Sequence, residues 1–109
     1  YYSFVKLAQL LIGIFYKMSS DDLNSFISKP EILIMFIKFF EIDDIEDGVY
    51  IITNLIKYLG RVNFSKEMAV FFAENNGMTI LTDLQNNDGQ QAIATLAGTL
   101  VETLLPLLD

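Results

Sequence analysis

Apolar residues recur every three or four positions along nearly the whole chain, the spacing expected of α-helices that each bury one side. The first segment illustrates the pattern, with apolar side chains at Val5, Leu7, Ala8, Leu11, Ile12 and Phe15. The pattern predicts seven helices. They are expected at residues 2–18, around 23–27, and at 30–40, 47–59, 65–72, 78–85 and 90–105.

Residues with special backbone chemistry separate these segments. The Ser65 hydroxyl can accept from a free amide in the first turn of a helix. Pro30 suits a first turn because its missing N–H is not needed there, whereas Pro106 is expected to end the last helix. The pair Asn76-Gly77 is typical of a β-hairpin. Its flanks follow a helical period instead, so we expect a helix–turn–helix at this point.

The segments repeat along the chain at an offset of 45 residues, the distance from Ser20 to Ser65. At the same offset, the apolar stripe of the fourth helix aligns with those of the seventh and the first. The aligned sets are Ile52, Leu55, Ile56 and Leu59; Ala97, Leu100, Val101 and Leu104; and Leu7, Leu10, Leu11 and Ile14. We therefore expect one shared buried stripe. A repeat of this length, with short, medium and long helices, is in the range of HEAT and armadillo repeats.

Two stretches carry a family resemblance. Phe72-Ala-Glu-Asn-Asn-Gly-Met-Thr-Ile-Leu-Thr-Asp-Leu84 resembles the armadillo pattern in which a short helix ends at Gly before an apolar helix. Ile51-Ile-Thr-Asn-Leu-Ile56 is similar to the third-helix signature of that family. The resemblance implies an armadillo-like α-solenoid forming a single domain over residues 1–109. Residues 2–17 would be the third helix of a partial repeat, and residues 20–60 and 65–105 would be two repeats.

The resemblance also implies a binding groove lined by third helices. In the family, an Asn in these helices bonds the backbone of an extended peptide, and a Trp one turn earlier packs on its side chains. The Asn position falls on Gln9, Asn54 and Thr99, and the Trp position on Val5, Tyr50 and Thr95. Tyr50 and Asn54 fit best, with Gln9 and Thr99 as flanking positions. The chain has no Trp, and an Asn within a helix can instead bond its own backbone.

Charge and hydropathy narrow the classes of partner. The net charge of −7 repels nucleic acid and anionic membranes and suits a basic peptide, although the charge also serves solubility. The apolar stretches 7–16 and 32–37 are shorter than the ~20 residues of a membrane span. Hydrophobic residues make up 52% of the chain, more than a small domain readily hides, so we expect further protein contact.

The chain has no His and no Cys, which removes the common nucleophile–base pairs and imidazole or thiolate metal sites. The adjacent acids Asp43/Asp44 and Glu46/Asp47 are candidates for acid–base chemistry by residue type only. The sequence Asp43-x-x-x-Asp47-Gly48 echoes a calcium loop but has Ile45 and Asn54 where ligands are required. We therefore expect no catalytic residue, no metal and no cofactor.

The sequence as a whole predicts a non-catalytic, cytoplasmic scaffold that binds a partner protein or peptide through the third-helix groove. The alternative is a homo-oligomerisation module, such as a closed helical bundle of the death-domain or Bcl-2 kind. Both ends of the chain are apolar, which favours a homodimer through these ends. The first helix carries Phe4, Leu7, Leu11 and Phe15, and the last ends in Leu104-Leu105-Pro106-Leu107-Leu108.

Overall fold

A computed structural model describes residues 2–41, 45–86 and 90–109 of the chain, and the side chains of 4–41, 48–86 and 90–109. Every regular element in these ranges is an α-helix, so the predicted all-α class is confirmed for them. The seven helices are α1 (Tyr2–Lys17), α2 (Ser20–Ile27), α3 (Pro30–Phe39), α4 (Ile45–Leu59), α5 (Lys66–Glu74), α6 (Gly77–Gln85) and α7 (Gln91–Leu108). Their order and lengths are compatible with a helical repeat.

Two serines begin equivalent helices in the same way. The Ser19 hydroxyl accepts from the amide of Asp22 at 3.2 Å, and the Ser65 hydroxyl accepts from the amide of Met68 at 3.2 Å. The predicted cap at Ser65 is confirmed. The cap that corresponds to it is Ser19 rather than Ser20, so the repeat measured between caps is 46 residues (65 − 19) and not 45.

The remaining helix ends follow the local sequence with one exception. Pro30 occupies the first turn of α3, and the left-handed Asn76 (φ 71°) leads directly into α6. The prediction that Pro106 ends the last helix is wrong, because α7 continues to Leu108. Proline removes one hydrogen bond to the preceding turn and its ring crowds the carbonyl four residues earlier, so a helix that continues past it needs other support. Leu107 and Leu108 pack against the core, and this packing keeps the last turn helical.

The first core region is built around Phe15 of α1, whose side chain is 1% exposed. Its ring stacks on that of Phe36 at 5.9 Å between centroids and meets the edge of Tyr58 at 5.5 Å. It also lies 5.9 Å from the ring of Phe26. Because these partners belong to α2, α3 and α4, Phe15 ties the first helix to the three that follow it.

Helix α4 connects the two ends of the domain, since it packs against both α1 and α7. Helix α7 in turn packs against α5 and α6, the two helices that precede it. The predicted stripes of α4 and α7 are confirmed, with all eight residues buried; Leu55 is 0% exposed and Leu100 is 3% exposed. The three long helices α1, α4 and α7 therefore form a row with α4 in contact with both neighbours.

The predicted stripe of α1 is not buried, which corrects the sequence interpretation. Leu7, Leu10 and Ile14 are 39%, 63% and 47% exposed, and Leu11 is half-buried. The buried side of α1 consists instead of Val5, Ala8, Ile12 and Phe15. Adding 47 to these numbers gives Ile52, Leu55, Leu59 and Val62, all buried as well. By burial, α1 is thus displaced by two residues from the 45-residue register.

The apolar ends also differ from expectation in detail. Of the four α1 residues expected at an open end, only Leu7 is exposed, since Phe15 is buried and Phe4 packs on Phe39 at 4.4 Å between ring centroids. In the last turns of α7, Leu104 is buried and Leu105 is 51% exposed. The domain therefore has an exposed apolar surface at each end, formed by fewer residues than the sequence suggests.

The described helices pack into a compact domain. The radius of gyration is 13.0 Å, close to the ~13 Å expected for a compact domain of this length.

Among the described residues, α7 is the one helix long and apolar enough to cross a membrane, and a third of it is buried. Core helices often meet the same criterion. One side of α7 packs against α4, α5 and α6.

Candidate binding face on helices α4 and α7

The two residues that best match the family groove, Tyr50 and Asn54, lie one turn apart on α4. Tyr50 is 56% exposed, and Asn54 is half-buried. The side-chain amide of Asn54 donates to the backbone carbonyl of Tyr50 at 2.8 Å. One of its N–H groups is therefore engaged within the helix, while an amide carries a second N–H and a carbonyl oxygen for other contacts.

Threonines on the long helices show the same local bonding. The hydroxyl of Thr99 donates to the carbonyl of Thr95 at 3.1 Å, and that of Thr103 donates to the carbonyl of Thr99 at 3.0 Å. On α4, Thr53 donates to the carbonyl of Val49 at 2.6 Å. A hydroxyl that has given its proton to the helix backbone can still accept a hydrogen bond. These side chains therefore present acceptors, rather than donors, to a ligand.

The other predicted groove positions are not equivalent to one another. Gln9 and Thr95 are exposed, on α1 and α7 respectively. Val5 is 6% exposed and packs in the core, so its side chain cannot line a groove. The cause is the displaced register of α1, which turns this position inward. The alignment of the Trp position with Val5 is therefore wrong.

A cleft of about 290 Å³ opens between α4 and α7. Ile56, Lys57, Gly60 and Arg61 line it from the α4 side, and Leu96, Thr99, Leu100 and Thr103 line it from α7. Of the predicted site residues, only Thr99 belongs to this cleft. Tyr50 and Asn54 lie nearer the start of α4, so the structure does not bring all four predicted residues into one pocket.

The cleft contains a pair of basic residues that the sequence interpretation missed. Lys57 and Arg61 are four residues apart, closer than any other two basic residues in the chain, and both are exposed. The Arg61 guanidinium lies over the Tyr58 ring, 5.3 Å from its centroid, which holds it beside the cleft. The four-residue spacing at the end of an amphipathic helix was the available signal. The sequence interpretation considered the negative net charge of the whole chain and therefore did not consider this local basic pair.

The acidic residues considered for catalysis or metal binding lie outside the described side chains. This applies to Asp43, Asp44, Glu46 and Asp47. The backbone is already helical from Ile45 onward, which is incompatible with a calcium loop running from 43 to 54. Among the side chains that the structure does describe, no three acidic residues converge into a group that could hold a metal ion.

Comparisons with protein-family models, with curated proteins and with solved structures find no match to this chain. The architecture established directly is therefore an all-α domain whose described part contains seven helices. The armadillo resemblance rests on the motifs and the repeat described above.

Proposed function

We propose that this chain is a non-catalytic binding module of armadillo-like repeat architecture, which holds a segment of a partner protein across α4 and α7. The observation that carries the proposal is the open cleft between these two helices, with two cations on one wall and hydroxyl groups on the other. A catalytic role has little support, because the sequence lacks both His and Cys.

The repeat architecture is supported by the arrangement of the helices. Each of two consecutive sets contains two shorter helices followed by a long one, and each set begins with a serine cap of the same geometry. The long helices pack in a row through α4. In an armadillo-like solenoid, the third helices are the ones that line the concave binding surface, so this row is where the partner would lie.

The cleft suits an extended peptide better than a small molecule. It is partly open, with the buried Ile56 and Leu100 at its base and exposed polar side chains along its rim. Ile56, Leu96 and Leu100 can take an apolar side chain of the partner. The Thr99 and Thr103 hydroxyl oxygens can accept from backbone amides of the partner. Tyr50 and Asn54 would extend the contact toward the start of α4.

The charge at the cleft differs from the charge of the whole chain. Lys57 and Arg61 favour an acidic side chain at this point of the partner. The net charge of −7 favours basic residues elsewhere along it. We therefore expect a partner segment with an acidic residue seated in the cleft and basic residues beside it.

The proposal is tested by selecting a displayed library of random peptides on the immobilised chain. Selected peptides should carry an acidic residue at a recurrent position. Reversing the charge with Lys57→Glu should weaken their binding at least about tenfold, because it places two like charges face to face. Asn54→Ala should also weaken binding while leaving the helical circular dichroism signal intact.

The matched control is Lys38→Glu, the same charge reversal at an exposed position of α3 away from the cleft. It should leave peptide binding unchanged. If no peptide is enriched, or if Lys57→Glu and Lys38→Glu have equal effects, the α4–α7 face is not the binding site. Selection of exclusively basic peptides would mean that general acidic charge, and not the cleft, dominates recognition.

A second candidate function is self-assembly, and one observation favours it. Helix α1 has three large aliphatic side chains in contact with solvent along one side. Exposed apolar side chains arranged on one helix face commonly mark an interface between proteins. The surface is separate from the α4–α7 cleft, so the two functions do not compete for the same residues.

A further inference from the structure

The exposed side of α1 forms an apolar ridge, composed of Leu7, Leu10 and Ile14. These residues are 39%, 63% and 47% exposed and follow the three- and four-residue spacing of a single helix face. At 100° per residue, this ridge points away from the buried side that contains Val5 and Phe15. It therefore lies on the solvent-exposed side of α1, which is the first helix of the row formed by α1, α4 and α7.

The opposite end of the row has an apolar groove on α5, α6 and α7. It is a largely open groove of about 500 Å³ lined by Ala73, Met78, Thr79, Thr82, Asp83, Val101, Leu105 and Leu108. Leu105 is 51% exposed on its edge. The same helical geometry directs Val101, Leu105 and Leu108 to the side of α7 opposite the Thr99 side, which faces α4. The groove is thus on a different side of α7 from the cleft that α7 shares with α4.

The two surfaces differ in charge. Helix α1 contains Lys6 and Lys17 and no acidic residue, although the chain as a whole carries 14 acidic and 7 basic residues. Among the described residues that line the groove, Asp83 is the only charged one. The exposed Lys17 therefore places a positive charge beside the ridge at one end of the domain, and Asp83 places a negative charge in the groove at the other.

We propose that the α1 ridge of one copy of this chain docks into the α5–α7 groove of a second copy. A ridge on one helix can insert into a groove between others. This arrangement lets Lys17 of one copy approach Asp83 of the next, whereas a contact between two identical surfaces brings like charges together. Ridge against ridge would bring the Lys17 side chains of the two copies together. Groove against groove would bring two carboxylates together. Because the joined surfaces are different, the contact is heterologous and leads to a ring or an open chain of copies.

This interaction rests on the second candidate function, self-assembly, and not on peptide binding, and it uses residues outside the α4–α7 cleft. Its test is light scattering of the chain from about 1 µM to about 1 mM, with variants at each end. We expect the mass of the natural sequence to rise with concentration beyond that of a dimer. Leu10→Glu on the ridge or Leu105→Glu in the groove should each reduce the association constant at least about tenfold.

The mixture of these two variants distinguishes the head-to-tail contact from a symmetric dimer. Each variant retains one intact surface, the groove in Leu10→Glu and the ridge in Leu105→Glu. Together they should form a dimer and nothing larger. Both positions are more than half exposed, so the substitutions are compatible with folding. The control is Tyr16→Glu, at an 81% exposed residue of α1 that is off the ridge, which should assemble like the natural sequence.

Three results would overturn the proposal. In the first, the natural sequence has the mass of a monomer at every concentration, which would mean that the ridge does not bind a second copy of the chain. In the second, Leu105→Glu associates on its own, Leu10→Glu does not, and mixing the two variants does not restore association of Leu10→Glu. This result would identify a symmetric ridge–ridge dimer. Equal loss of association in Tyr16→Glu would mean that any charge on α1 disrupts it. In each case, peptide selection on the α4–α7 face remains an independent test of that function.

Discussion

Three leucines at equivalent positions of the 45-residue repeat provide a sharp test of how the long helices are buried. Leu10, Leu55 and Leu100 belong to α1, α4 and α7. The sequence repeat predicts that replacing any of them by Ala is equally costly. The structure predicts a large difference, because Leu55 and Leu100 are 0% and 3% exposed whereas Leu10 is 63% exposed.

The expected costs follow from the burial of each side chain. Leu→Ala at a fully buried site removes three carbons and leaves a cavity, which lowers the free energy of unfolding by about 2–5 kcal/mol. We expect this for both Leu55→Ala and Leu100→Ala. At Leu10 only about a third of the side chain is out of water, so the transfer loss is about 0.8 kcal/mol. Alanine's higher helix propensity offsets part of this, leaving about 0.5 kcal/mol.

The measurement is urea unfolding followed by circular dichroism at about 1 µM, where a weak association is dissociated. Midpoints should shift with unchanged m-values. A cost for Leu10→Ala above about 2 kcal/mol would refute the reasoning, since it would require α1 to bury the side that we describe as exposed. A cost below about half a kcal/mol for Leu55→Ala would instead refute the assignment of the core.

Two further predictions concern local structure. Gly77→Ala should destabilise the domain by about 1–3 kcal/mol, because the new methyl would lie 2.6 Å from the carbonyl oxygen of Phe72. Gly13→Ala should stabilise the domain by about 0.5–1 kcal/mol, because no atom lies within 4 Å of the new methyl and alanine favours the helix. If urea unfolding shows that the two substitutions change the free energy of unfolding in the same direction, this reasoning is contradicted. Asn24→Ala should cost about 0.5–1.5 kcal/mol and increase hydrogen exchange at the amide of Asn63, which donates to the Asn24 side chain at 2.7 Å. Asn24→Asp keeps the acceptor oxygen and should preserve this protection; exchange that is equally fast in both variants would exclude the hydrogen bond as its cause.

The sequence alone predicted the helices well, because the signals that specify them are local. Apolar spacing, the Ser65 cap and Pro30 in a first turn depend on residues within one or two turns of each other. The four-residue stripe around Leu55 was also predictable, since the other side of α4 is polar. The binding face could be predicted only as a set of third-helix positions. Of these, Tyr50 and Asn54 are accessible on α4.

The tertiary structure decided what local signals leave open. Helix α1 is apolar on two sides, so its periodicity cannot say whether Leu10 or Phe15 is buried. The rings of Phe36 and Tyr58 settle the choice by packing on Phe15. Proline at 106 is a local signal to stop, yet the core contacts of the residues after it keep the helix intact. The cleft beside Lys57 exists only because α7 packs alongside α4 at that point. Contacts between distant segments depend on packing of the whole domain, and this is why they could not be inferred from the sequence.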